Sequence, residues 1–159
     1  METIASLVDE FLSLPAIAVV GISSSKQTVA NGVYKKLKTQ KRTVYAVGKN
    51  TSSFENDPCY PDLASLPAPV QGVFIAVKKE NTGEIIDECI RLGISRVWMH
   101  NFSGTSYSSG SIATPDIVQK CRDHNISVIP GACPMMFVEN ADMGHKCIRW
   151  FLNATGKLK

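Results

Sequence analysis

What this chain of 159 residues lacks already narrows it. No apolar run is long enough to cross a bilayer, and the opening Met1-Glu2-Thr3-Ile4 carries no basic segment of the kind that begins a secretory signal. Neither a membrane span nor an export leader is expected. There is little excess charge of either sign: seventeen Lys and Arg against fourteen Asp and Glu give a formal net charge of +3. That leaves room for an anionic ligand but is too mild and dispersed to argue for nucleic acid, and there is no basic arm or basic–aromatic stripe. Cysteines are few and odd in number: Cys59, Cys89, Cys121, Cys133 and Cys147. No C-x-x-C and no zinc spacing occurs, which suits reduced thiols in a cytosol-like, cytoplasmic compartment. Paired carboxylates, a G-x-S-x-G elbow and a P-loop are also missing. There is no internal repeat and no linker, so residues 1–159 read as one domain with room for a real core.

What is present is organised around Ala16-Ile17-Ala18-Val19-Val20-Gly21-Ile22-Ser23-Ser24-Ser25. A short β-branched run ends abruptly in a glycine and three serines, and a helix-like spacing of Val29, Val33 and Leu37 follows. The pattern predicts a buried strand, a tight turn and a helix start. Such a turn can offer backbone N–H groups, hydroxyls and a helix N-terminus to a phosphate. The plainer alternative is an ordinary strand–helix turn.

Before this stretch, Thr3 can cap a helix whose apolar face is Ile4, Leu7, Val8, Phe11 and Leu12, ended by Pro15. After it, residues 28–39 read as helix and 44–47 as a second strand ending in Gly48-Lys49-Asn50. Residues 51–62 are polar and broken by prolines, so irregular chain is expected there, with one helical turn at 62–65. Residues 72–77 form a third strand. Asn81-Thr82-Gly83-Glu84 has capping-box spacing ahead of an apolar helix face with Ile85, Ile86, Cys89 and Ile90. Residues 97–99 form a fourth strand, 102–113 a serine- and glycine-rich loop, and Thr114-Pro115 a helix start. A fifth strand at 126–129 and a last helix over 141–153 complete the pattern. Short apolar strands each followed by a helix predict a doubly wound, five-stranded parallel sheet, a Rossmann-like three-layer α/β sandwich. Ligands bind such sheets at the carboxyl ends of the strands. The candidate site is therefore Gly21, Ile22, Ser23, Ser24 and Ser25, with Val47, Gly48, Lys49 and Asn50, Val77 and Lys78, His100 and Asn101, and the turn that holds Cys133.

The glycine fingerprint of dinucleotide folds is incomplete, because Ser23 stands where the second glycine should be and Asn31-Gly32 falls late. The acidic residue that holds NAD ribose hydroxyls is replaced by Gly48-Lys49-Asn50. A lysine there suits an extra ribose phosphate, which coenzyme A and NADP both carry. Alternatively Lys49 is a solvated loop residue.

At this point the chain resembles the small, single-domain CoA-binding proteins of Rossmann type, related to the nucleotide-binding domain of succinyl-CoA synthetase. The likeness rests on residues 17–23, on Cys59-Tyr60-Pro61-Asp62-Leu63-Ala64-Ser65-Leu66-Pro67, on Val97-Trp98-Met99, and on Gly131-Ala132-Cys133-Pro134 with Gly144-His145 downstream. It implies CoA across the carboxyl edge, its pyrophosphate on residues 21–25 and its adenosine near the second and third strand ends. The family pattern Val-Asn-Pro after the second strand is Val47-Gly48-Lys49 here, and Met99-His100-Asn101 replaces the usual stretch after the fourth-strand Trp. The likeness brings no reaction with it.

Cys133, with His145 as a basic neighbour, is a candidate for thiol exchange with CoA, the alternative being a structural turn cysteine. His100 is a candidate base or ligand contact, or else a half-buried hydrogen-bonded histidine. Trp98 and Trp150 read as packing and His124 as an exposed helix end. No catalytic or metal-binding set emerges. Three functions compete: a CoA or acyl-CoA binder without its own reaction, an NADP-dependent or acyl-CoA-handling enzyme, and a redox-responsive nucleotide-binding regulator. The missing second domain to close over a ligand weighs against a dehydrogenase, and the first function is the one expected.

Overall fold

The alternation of apolar residues along each strand sends successive side chains to opposite sheet faces, and both faces are covered. The structure is a computed structural model and describes residues 3–40, 42–101 and 111–137, with Met143, Lys146, Arg149 and Ala154 beyond them. Those last four are helical, and three of them, Met143, Lys146 and Arg149, fall within the expected helix 141–153. Gly144, His145, Cys147, Trp150 and most of the serine-rich loop lie outside the described residues. The elements are α1 (Ile4–Ser13), β1 (Ala16–Val20), α2 (Val29–Lys38), β2 (Thr43–Val47), β3 (Ser53–Phe54), β4 (Asp57–Tyr60), β5 (Gly72–Ile75), α3 (Lys79–Arg91), β6 (Arg96–Met99), α4 (Pro115–Asp123), β7 (Ser127–Pro130) and a 3₁₀ turn (Pro134–Met136).

The strands run in the order β3-β4-β2-β1-β5-β6-β7. Every pairing is parallel except β3 with β4. The five expected strands are β2, β1, β5, β6 and β7. Ile17 and Val19 of β1, Phe74 of β5 and Trp98 of β6 pack with α1 and α2 on one face. Ala18, Val20, Val73, Ile75, Val97 and Met99 pack with α3 and α4 on the other. Trp98 is wholly buried against Phe11, ring centroids 5.4 Å apart, and its Nε1 donates to the Gly131 carbonyl at 2.8 Å. It is a packing residue, as expected.

Three expectations are corrected. Among the described residues the sheet has seven strands, because part of 51–62 is a hairpin. Glu55 and Asn56, at φ 51° and 64°, make the two-residue turn whose mirror-image geometry suits a hairpin. Pro58 is tolerated because β4 is close to the sheet edge, and the ladder continues through Ala46–Cys59 and Val47–Tyr60. The turn at 62–65 is not helical: the Asp62 carboxylate accepts from the Ser65 amide at 2.8 Å and closes a local turn. Finally, α3 starts ahead of Asn81. Its N-cap is Lys78, with no side-chain cap, so the Asn81–Glu84 box does not form. The box at α1 does form, between Thr3 and Ser6.

Candidate functional site

The path out of β1 leads to α2 on one face, and the path out of β5 leads to α3 on the other. Adjacent strands that send their crossovers to opposite faces leave a crevice between them at the carboxyl edge. A cavity of about 940 Å³ opens there. Gly21, Ile22, Ser23, Ser25, Val47, Gly48, Lys49, Asn50, Val77 and Lys78 line it. Ser24 is not in the lining.

Two glycines let the three strand ends meet. Gly21 has φ +115°, and a Cβ on it would lie 2.2 Å from the Ala76 carbonyl oxygen. A Cβ on Gly48 would lie 2.3 Å from the Ile22 carbonyl oxygen. Both are far inside contact distance, so neither position accepts a side chain without moving backbone.

The turn after β1 is held by its own chain. The amides of Gly21 and Ile22 both donate to the Val47 carbonyl, at 3.0 and 3.1 Å. The Ser23 amide donates to Asn31 Oδ1 at 3.0 Å and the Ser24 amide to Thr51 Oγ1 at 3.2 Å. The first four amides of the stretch are therefore engaged within the protein. Asn31, 2% exposed, returns from α2 through Nδ2 to the carbonyls of Ser23 and Lys26, at 2.8 and 3.1 Å. Thr28 caps α2 by accepting from the Asn31 amide at 3.1 Å. Its hydroxyl lies 3.0 Å from the Gly21 carbonyl. Thr28 and Asn31 thus brace the loop that the second glycine of the fingerprint would otherwise shape. Ser23 and Ser25 both line the cavity, their Oγ atoms 3.1 Å apart, and Thr28 at the start of α2 lines it too.

Sequence reading missed part of the lining. Lys26, Thr28 and Thr51 stand on the phosphate-suited side. Leu63 and Ile85 give the opposite wall an apolar floor, and Asp62, Glu84 and Glu88 give it carboxylates. Glu88 Oε1 accepts from the Ala64 amide at 3.0 Å, so it also ties α3 to the chain after β4. Thr28 was legible as a helix cap. The α3 residues were not, because nothing local says which face of a helix rims a crevice.

His100, Asn101 and Cys133 are not in that lining. They lie along the same edge, after β6 and β7, where Asn101 bridges to Ala132. His100 Nδ1 is buried with no hydrogen-bond partner among the described residues, and burial holds the ring below its ordinary pKa. Cys133, 3% exposed, packs with Met136 in the core under α1 and α2. His145, expected as its basic neighbour, is outside the described residues. Burial pushes the Cys89 thiol up to about 12 and the Cys121 thiol to about 11, so both stay protonated at neutral pH. Among the described residues no group of three potential ligands could hold a metal ion, and no helix is long and apolar enough to cross a membrane.

A doubly wound parallel sheet with a crevice at its switch point, beside the strand–turn–helix path from β1 to α2, defines a Rossmann-like α/β domain. Within that class the chain belongs to the CoA binding domain family, which it matches over residues 15–139. It is 32% identical over 75 residues to the ADP-forming acetate–CoA ligase I of Archaeoglobus fulgidus, a stretch that covers 47% of this chain and 11% of the ligase. Among solved structures it is similar to a hypothetical protein from Pyrococcus horikoshii OT3, with a TM-score of 0.73, 22% identity, and coverage of 88% of this chain and 92% of that one. It is also similar to the dinucleotide-forming acetyl-coenzyme A synthetase 1 of Ca. Korarchaeum cryptofilum, at a TM-score of 0.64 and 21% identity, covering 77% of this chain and 27% of the synthetase. These structural likenesses carry the fold.

Proposed function

We propose that this chain, acting as one domain, binds coenzyme A or an acyl-CoA in the switch-point cavity and carries no reaction of its own. The observation that supports this most is the cavity itself, built in a CoA-binding-family chain from a serine-rich turn on one side and an apolar floor with carboxylates on the other. The pyrophosphate sits on the Ser23 and Ser25 hydroxyls and the N-terminus of α2, since the amides of residues 21–24 are committed elsewhere. The adenosine lies between the ends of β2 and β5 against Leu63 and Ile85, with its ribose phosphate toward Lys49. The pantetheine arm follows the edge toward His100, Asn101 and Cys133.

NADP carries a ribose phosphate too, but neither the family nor the ligase relative supports it. A redox role through Cys133 needs the sulfur uncovered, and it is almost wholly buried. We place the protein in the reducing cytoplasm, where its buried thiols persist. Mass spectrometry of the protein purified under native conditions tests the reading. A co-purifying mass equal to CoA or an acyl-CoA is expected. A nicotinamide dinucleotide in its place contradicts it.

A further inference from the structure

Lys49 reaches the cavity already paired. Its Nζ lies 3.2 Å from Glu84 Oε2, and both side chains line the cavity. They come from opposite walls, Lys49 from the turn after β2 and Glu84 from the second turn of α3. The other carboxylates that α3 brings to the cavity lining are engaged elsewhere: Asp87 with Lys120 at 2.5 Å and Glu88 with the Ala64 amide at 3.0 Å. The side chains of Lys49 and Glu84 are 70% and 73% exposed, so either can leave the pair without stranding a buried charge.

We propose that Glu84 is a specificity-determining residue, an internal competitor for the Lys49 ammonium. Its carboxylate occupies the place that a ribose phosphate must take on Lys49. This deepens the CoA reading and rests on it. A phosphate monoester carries roughly −1.5 to −2 charges at neutral pH and three acceptor oxygens, so it displaces a single carboxylate from an ammonium. The released Glu84 goes to water, which solvates its exposed charge. The pair therefore sets how tightly a ligand must hold Lys49 to be retained. A ligand without the ribose phosphate leaves the pair intact and is indifferent to it. If Glu84 were instead a brace holding α3 against the β2 turn, its loss would weaken every ligand. The two roles differ in sign.

Calorimetric titration of CoA and of dephospho-CoA into the wild type, Glu84→Gln, Lys49→Ala and the double variant separates them. Glu84→Gln is expected to tighten CoA by roughly two- to fivefold, the size of an exposed ion pair, and to leave dephospho-CoA nearly unchanged. The gain disappears in the Lys49→Ala background and shrinks as salt is raised. Weaker binding of either ligand, an equal gain for both, a gain that survives Lys49→Ala, or no change overturns the proposal. If the wild type binds neither ligand, the CoA reading fails first and takes this inference with it.

Discussion

Gly21 carries a different burden from the one its sequence context suggests. Read from the sequence, it permits the tight turn after the first strand. In the structure the atom it clears is the Ala76 carbonyl oxygen, where the chain leaves β5. Gly21→Val is therefore expected to destabilise the fold by on the order of 3 kcal/mol, from the positive φ and the overpacking together, whether or not ligand is present. A thermal melt checks this, and an unchanged melting temperature contradicts it. Asn31 is the residue the fingerprint comparison passed over. Sequence alone showed only that Asn31-Gly32 came too late to complete a glycine motif. The structure uses that lateness, because an asparagine one turn into α2 can reach back to Ser23 and Lys26. Asn31→Ala takes partners from the Ser23 and Lys26 carbonyls and the Ser23 amide, bonds that are part-buried, and should cost about 1–3 kcal/mol by chemical denaturation. It should also weaken CoA binding beyond what the stability loss explains, since the serine turn loses its brace.

The element that sequence did not disclose is the hairpin of β3 and β4. Its strands are too short for alternation to register, and Asp57-Pro58 and Glu55-Asn56 read as loop. What makes it a hairpin is contact made far along the chain. The Tyr34 hydroxyl of α2 donates to Asp57 at 2.6 Å, Lys38 pairs with the same carboxylate, and Lys35 pairs with Glu55 at 2.8 Å. Tyr34 also packs edge-on against Phe54. Burial, and then Asp57, push the Tyr34 hydroxyl above its ordinary range, so it stays a donor. Lys38, and then Tyr34, hold the Asp57 carboxyl below its usual range. A depressed carboxyl stabilises the fold above its unfolded pKa of about 4, and that contribution is lost as the pH falls through the lowered folded value. Asp57→Asn is thus expected to be less stable than wild type at neutral pH by about 1 kcal/mol, allowing for the partial exposure of the pair. The gap should narrow as the pH falls from about 4 through the lowered folded value. A gap that is constant with pH would assign the effect to packing. The two legs of this hairpin run from Thr51 and into Pro61, both in the cavity lining, so the hairpin locked to α2 borders the site.

At the scale of the molecule, the doubly wound sheet was legible because five of its strands are short apolar runs, most of them followed by a helix. The carboxyl edge as the place for a ligand followed from that topology alone. Ten of the fourteen residues expected at the edge gather in one cavity. His100, Asn101 and Cys133 stand apart along the same edge because strand order, which sequence periodicity does not reveal, puts β6 and β7 two and three places from β1. The pairing of Lys49 with Glu84 was equally out of reach, since it joins two turns on different walls of the crevice. These placements converge on one claim: a ribose-phosphorylated CoA sits in this cavity with its phosphate on Lys49. Calorimetric titration of CoA, dephospho-CoA and NAD into the wild type and Lys49→Ala tests it most directly. The account predicts that CoA binds most tightly and that Lys49→Ala weakens it about tenfold, the worth of one partly exposed charge-assisted bond, while dephospho-CoA is barely affected. Binding of NAD with none for CoA, or equal losses for CoA and dephospho-CoA on Lys49→Ala, would contradict it.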